Sequence, residues 1–276
     1  QPVDPETIAI PAAHAVPEPE LSSSDSASQA HPPSTVPANV SLPVNAAPAQ
    51  ESVPANATPS MHMPAVTISR RIWRVGQLCE YYLPMECSQS CIDGRSGSSA
   101  CAVIATYVVS RALRGQLELP APGAPPSPAC TSTFIGCIRD GNRTYDAAGL
   151  SSAFLSVYDA KDLMPVSHGV CVMKDGDLGI RNNAACRSVM EKAGNMAMKC
   201  DRIVAGVLVH NPLCIAIVFT PHGFAIVFDS HRHREKGPMV AVLRHKASWS
   251  AMGEFIPGLF PGSKLTDGHF CILQAC

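Results

Sequence analysis

"IVAGVLVHNPLCIAIVFTPHGFAIVFDSHRHREKGPMVAVLRH", residues 203–245, holds the information that decides the fold. Four apolar runs of strand length, 203–210, 214–220, 224–231 and 238–245, are separated by short polar breaks. Between the second and third stands "TPHG", where Pro221 presets φ and Gly223 supplies positive φ, the chemistry of a hairpin turn. Runs this short, rich in Val and Ile and joined so tightly, predict an antiparallel meander. The third run passes directly into Asp229, His231 and His233, two residues apart, which would share one face of an extended strand. This pattern suits three chemistries: a metal cradle, an oriented general base, or a solvated strand end. His233, followed by "REKG", is expected to be a surface neighbour.

Upstream, the pattern changes to helices. "CAVIATYVVSRALRG" (101–115) is apolar nearly all round, so it is buried. Its length, the small residues at its start, Arg111 and Arg114 near its end and Gly115 just beyond favour a helix over a strand. "STFIGCIRDGNRTY" predicts a short helix closed by Asp140-Gly141, and "DAAGLSSAFLSVYDAKDLMP" a further helix and exit. "PAPGAPPSPAC" (120–130) reads as a proline-rich loop. Helices first and a strand meander afterwards predict an α+β fold, with N-terminal helices packed on an antiparallel sheet.

Residues 1–69 differ in kind from everything after them. They contain no Lys, Arg, Gly or aromatic residue and 13 of the 25 prolines, so they are expected to form a disordered tail ahead of one domain at 70–276. All 21 basic residues lie at Arg70 or beyond, against 16 of the 22 acids, an excess of five positive charges before His. With no dense Lys/Arg cluster, a nucleic-acid partner is not expected. No apolar run reaches the ~18–20 residues of a membrane span, so no membrane partner is expected either. Asn39, Asn56 and Asn142 begin N-x-S/T sequons of the kind chance produces.

Among 12 cysteines there is no CxxC pair. Cys87 and Cys91 have zinc-like spacing without a second ligand pair, and Cys214, in "CIAIVF", reads as a small buried hydrophobe. Reduced thiols are expected. Cys101 is distinct. It follows the small-residue loop "GRSGSSA" and opens the predicted helix, where the helix dipole and unpaired N–H groups favour a thiolate. A nucleophilic Cys needs a base, and the base an orienting group. Asp229 and His231 can supply both, the carboxylate accepting Nδ1–H and leaving Nε2 for the thiol. The pattern alone equally suits a packed helix thiol and a polar strand end.

Residues 206–245, with "FDSH" ahead of a Gly and an apolar strand, resemble the cysteine-protease domain of herpesvirus large tegument proteins and the related tegument-like deubiquitinases. "CTSTFIGCIRDGNRTY" (130–145) and "FLSVYDAKDLMP" are similar to segments of that family, and the resemblance spans roughly 70–275. It implies a papain-like fold, Cys101 as nucleophile, His231 as base and Asp229 as its orienting acid. It also implies that Gln89, twelve residues before Cys101, donates to the oxyanion. The implied activity is thiol-dependent hydrolysis of (iso)peptide bonds after the C-terminal Gly-Gly of ubiquitin. The partners would be ubiquitin and its conjugates, the chain a monomer, and neither cofactor nor metal is needed. The implied setting is the cytoplasm or nucleus of a host cell, or a virion tegument. Two rivals stand beside this reading: an acyltransferase or transglutaminase with the same triad, and a non-enzymatic binding module whose cysteines hold zinc or simply pack.

Overall fold

The computed structural model describes residues 68–73, 77–150, 154–210, 212–260 and 268–276. The expected tail, residues 1–69, lies outside them but for its last two positions, and Ser69 already pairs with Tyr82 in the first hairpin. Among the described residues, eight strands form one antiparallel sheet. In chain order they are β1 (Ser69–Trp73), β2 (Leu78–Tyr82), β3 (Val170–Ile180), β4 (Val204–His210), β5 (Leu213–Phe219), β6 (Ala225–Asp229), β7 (Met239–Leu243) and β8 (Gly268–Ala275). Their order across the sheet is β1-β2-β7-β6-β5-β4-β8-β3. The helices are α1 (Cys101–Leu113), α2 (Pro128–Ala147), α3 (Val157–Asp162), α4 (Asn183–Cys200) and α5 (Trp249–Phe255). None of the described helices is long and apolar enough to cross a membrane. The α+β class with an antiparallel sheet is the architecture predicted from the sequence.

Why the central strands read as unbroken apolar runs is now evident. Alternate residues enter two different cores. On β5, Cys214, Ala216 and Val218 face the core built with α1, α2 and α3. Ile215, Ile217 and Phe219 face the core built with α4 and α5. The same alternation holds on β6, where Ile226 and Phe228 face the first core and Val227 the second. An antiparallel sheet usually leaves one face to water; here helices cover both.

Helix α1 is buried along almost its whole length, between the sheet and α2. Phe134 of α2 meets Phe228 of β6 edge to face, with centroids 5.2 Å apart. Both rings are buried, and truncating such a side chain to Ala costs about 3–5 kcal/mol. Phe228 directly precedes Asp229, so this contact anchors the end of β6.

Two expected boundaries are corrected. The second helix does not stop at Gly141 but runs from Pro128 to Ala147. Gly141 is a point of close approach: a Cβ there would lie 2.4 Å from Ile104 Cγ1 and 2.9 Å from its Cα. The proline-rich loop likewise ends earlier than expected, because Ser127 caps α2 through the Cys130 N–H and Pro128 occupies the first turn. The "TPHG" turn forms as predicted, with Gly223 at φ +87° and its N–H bonded to Thr220 O.

Candidate active site

Four sequence-predicted residues, Cys101, Gln89, Asp229 and His231, come from three parts of the chain and gather at one place. Cys101 opens α1. Asp229 ends β6, paired across the ladder with Met239 of β7. Gln89 lies in the loop between β2 and α1.

The strand does not continue through the histidines, as the even spacing suggested. Beyond Asp229 the chain turns back on its own carboxylate. His231 N–H donates to Asp229 Oδ1 at 3.0 Å, and His231 Nδ1 stands 2.6 Å from the same oxygen. A carboxylate can only accept, so Nδ1 carries the proton and Nε2 is left for another partner. His233 reaches the same group from the other side, with Nε2 3.2 Å from Asp229 Oδ2. It is therefore a neighbour of the carboxylate, not the surface residue expected. The two histidines face separate oxygens of Asp229 instead of converging on a shared point, which is not a metal cradle. Among the described residues, no group of three or more His, Cys, Asp or Glu is arranged to hold a metal ion.

Gln89 joins the two halves of the site. Its backbone N–H donates to Ser230 O at 3.0 Å, and its Oε1 accepts from Ser230 Oγ at 2.6 Å. Nε2 donates to Ser98 O at 3.3 Å, three residues before the thiol. The amide is buried and ties the Asp-His turn to the loop that presents Cys101.

Helix α2 holds that loop from one face, at positions i, i+3 and i+7. Arg139 Nε bonds Asp93 Oδ1 at 3.1 Å. Asn142 donates to Gln89 O at 3.0 Å and accepts from Ser98 Oγ at 2.7 Å. Asp146 takes both ends of the Arg95 guanidinium, at 2.5 and 2.9 Å. The sequence pointed to none of these contacts. Asn142 stood out only as a chance sequon, and it is buried.

Electrostatics separate Cys101 from the other buried thiols. Its thiol is held well below the ordinary thiol range, first by a hydrogen bond from Cys214, which opposes burial, and then by the hydrogen bond and charge of His231. Cys214 is pushed well above that range by its bond to Cys101 and by its own burial. Burial by itself would deprive His231 of its proton, but the charge and hydrogen bond of Asp229 outweigh it, and with Cys101 raise the ring to about 10. Burial also works against an ionised Asp229, yet the two histidines hold its carboxyl far below the usual carboxylate range. In the neutral form Cys101 Sγ can donate to Pro212 O, 3.5 Å away; ionised, it accepts from Cys214 and His231. The arrangement supports a thiolate–imidazolium pair at neutral pH. All twelve cysteines are unpaired, Cys87 and Cys91 included.

No protein-family model matches the sequence, and no curated protein does. Solved structures similar to the chain include the ubiquitin-specific protease encoded by a murine cytomegalovirus tegument protein, in complex with a ubiquitin-based suicide substrate. That match has a TM-score of 0.41 and 13% identity, covering 70% of this chain and 86% of that one. Another is the Pseudomonas avirulence protein AvrPphB, with a TM-score of 0.33 and 11% identity, covering 63% of this chain and 91% of that one. Both likenesses are too distant to say what this chain does.

Proposed function

We propose that the chain is a papain-like thiol hydrolase that cleaves (iso)peptide bonds after the C-terminal Gly-Gly of ubiquitin. The observation that carries the hydrolase reading is that the Cys101 thiol, at the start of a buried helix, interacts with a His231 ring held by Asp229 at 2.6 Å. The choice of ubiquitin rests on the resemblance of residues 206–245 to the tegument deubiquitinases.

In this mechanism the Cys101 thiolate attacks the carbonyl carbon of the terminal glycine. The carbonyl π electrons move to oxygen, where the Cys101 backbone N–H and Gln89 Nε2 receive the developing charge. Nε2 has two N–H bonds and uses one on Ser98 O, leaving the other for the substrate. The His231 imidazolium gives its Nε2 proton to the departing amine as the C–N bond breaks, forming a thioester. Neutral His231 then takes a proton from water. The resulting hydroxide adds to the thioester, and collapse restores the thiolate beside imidazolium and releases the carboxylic acid, which loses its proton to solvent as a carboxylate. Throughout, Asp229 stays ionised and holds Nδ1–H.

The test is reaction with ubiquitin carrying a C-terminal propargylamide, followed by peptide mapping. An adduct on Cys101 is expected. Absence of any adduct, or an adduct at another cysteine, overturns the reading. A chain that forms the adduct but joins substrates to amines instead of hydrolysing them is an acyltransferase.

A further inference from the structure

Resting on the triad reading, we propose that His233 is a positioning residue, holding Asp229 Oδ2 so that Oδ1 stays directed at His231. A carboxylate fixed through one oxygen can still rotate about its terminal torsion, which is broad and shallow. The two hydrogen bonds from His231 fall on Oδ1, while His233 Nε2, buried and otherwise without a hydrogen bond, sits at ion-pair distance, 3.2 Å, from Oδ2. An attractive contact at Oδ2 beside the bonds at Oδ1 would restrain the plane of the carboxylate, and that plane sets the tilt of the His231 ring.

The surroundings of His233 are built to hold it there. Its backbone exchanges two hydrogen bonds with Lys236, at 3.0 and 2.9 Å, closing a tight turn. That turn is pressed against the segment after β2: Gly237 N–H bonds Leu83 O at 3.0 Å, and a Cβ at Gly237 would lie 2.0 Å from Pro84 O. The imidazole meets the edge of Tyr82 at 5.6 Å between centroids and 71° between planes. Tyr82 is itself fixed, its hydroxyl donating to the buried Glu80 at 2.7 Å, and Lys236 Nζ lies 4.3 Å above its ring. Strand β2 thus buttresses the ring that braces the acid. If packing on Tyr82 were the whole role of His233, any ring of similar size would serve equally well. If the polar contact with Oδ2 matters, an amide able to donate there should serve better than a ring that cannot.

The experiment compares wild type with His233→Phe, which keeps a ring on Tyr82, and His233→Gln, whose amide nitrogen falls near the place of Nε2. Three quantities are measured: the rate of Cys101 alkylation by iodoacetamide at pH 7, kcat and KM on a ubiquitin C-terminal fluorogenic amide, and Tm. His233→Phe is expected to slow both alkylation and kcat by about tenfold with KM within about twofold, and His233→Gln to recover both to within about threefold of wild type. Wild-type rates in His233→Phe, or a His233→Gln no better than His233→Phe, overturn the proposal. Should His233→Phe not fold, His233→Leu against His233→Gln makes the same comparison, and equal rates for that pair overturn it. Alkylation involves no ubiquitin, so a wild type inactive on ubiquitin would contradict the proposed substrate while leaving the role of His233 decided.

Discussion

Cys101 and Cys137 are both buried thiols on helices of the same core, yet their chemistry diverges. Cys137 lies mid-way along α2 among apolar neighbours, and burial pushes it up to about 12. Cys130, about two turns earlier, Cys186 on α4 and Cys271 on β8 are raised to about 12, chiefly by burial. Cys101 is equally enclosed and moves the other way. Burial is therefore the common condition and a lowered thiol the exception, and what lowers it is the Cys214 hydrogen bond together with the hydrogen bond and charge of a His231 kept protonated by Asp229.

The comparison is most severely tested by exchanging the thiols for methyl groups. Cys101→Ala should abolish ubiquitin cleavage, a loss of about 10⁴-fold or more, with the melting temperature retained. Cys137→Ala should leave kcat/KM near wild type and lower only stability. Comparable losses of activity in the two would erase the distinction.

Asp229→Asn should cost about 10²–10⁴-fold in kcat, because an amide at this place no longer fixes the Nδ1–H tautomer of His231. Its signature is a low rate with substrate binding unchanged. A smaller loss, about 10²–10³-fold in kcat, is expected for Gln89→Ala, through one oxyanion donor and the Ser98–Ser230 tie. The smallest effect belongs to Cys214→Ala. Removing its S–H bond raises the Cys101 pKa, so the acid limb of the kcat/KM profile should move to higher pH, with less than about tenfold loss at pH 7. An unmoved limb would show that Cys214 only packs.

How much of this could be read in advance differs by element. The β5–β7 meander was legible because Thr220-Pro221-His222-Gly223 is strong local turn chemistry and the flanking runs are too short for helices. Helix α1 was legible from its length and its small-residue start. Asp229 and His231 were legible as a pair, though not their geometry, since an even spacing cannot tell a strand that continues from one that turns back on its carboxylate. Gly141 misled because a glycine that stops a helix and one that admits a neighbouring backbone look alike until Ile104 is placed beside it. The grip of Arg139, Asn142 and Asp146 on the loop depends on pairing across about fifty residues, which no local pattern encodes. Cys214 read as a buried hydrophobe, which it is. That it also meets Cys101 depends on how α1 lies over β5. Lys174, Gly176 and Asp177 interrupt β3, where the register with β8 shifts between Val172 and Asp177, and this hides a long edge strand.

The central claim is that Cys101 is ionised at neutral pH because His231 is its partner. The direct measurement is the pH dependence of Cys101 alkylation by iodoacetamide, located by peptide mapping, in wild type and in His231→Ala. Below its lowered pKa the thiol is neutral and slow; above it the thiolate is paired with imidazolium, and the pair persists until the ring loses its proton near pH 10. Wild type should therefore alkylate readily at pH 6–7, well under the ordinary thiol pKa of about 8.5, and His231→Ala should move that rise upward by about a unit or more. A wild-type rise at the ordinary thiol pKa, unchanged in His231→Ala, would contradict the account.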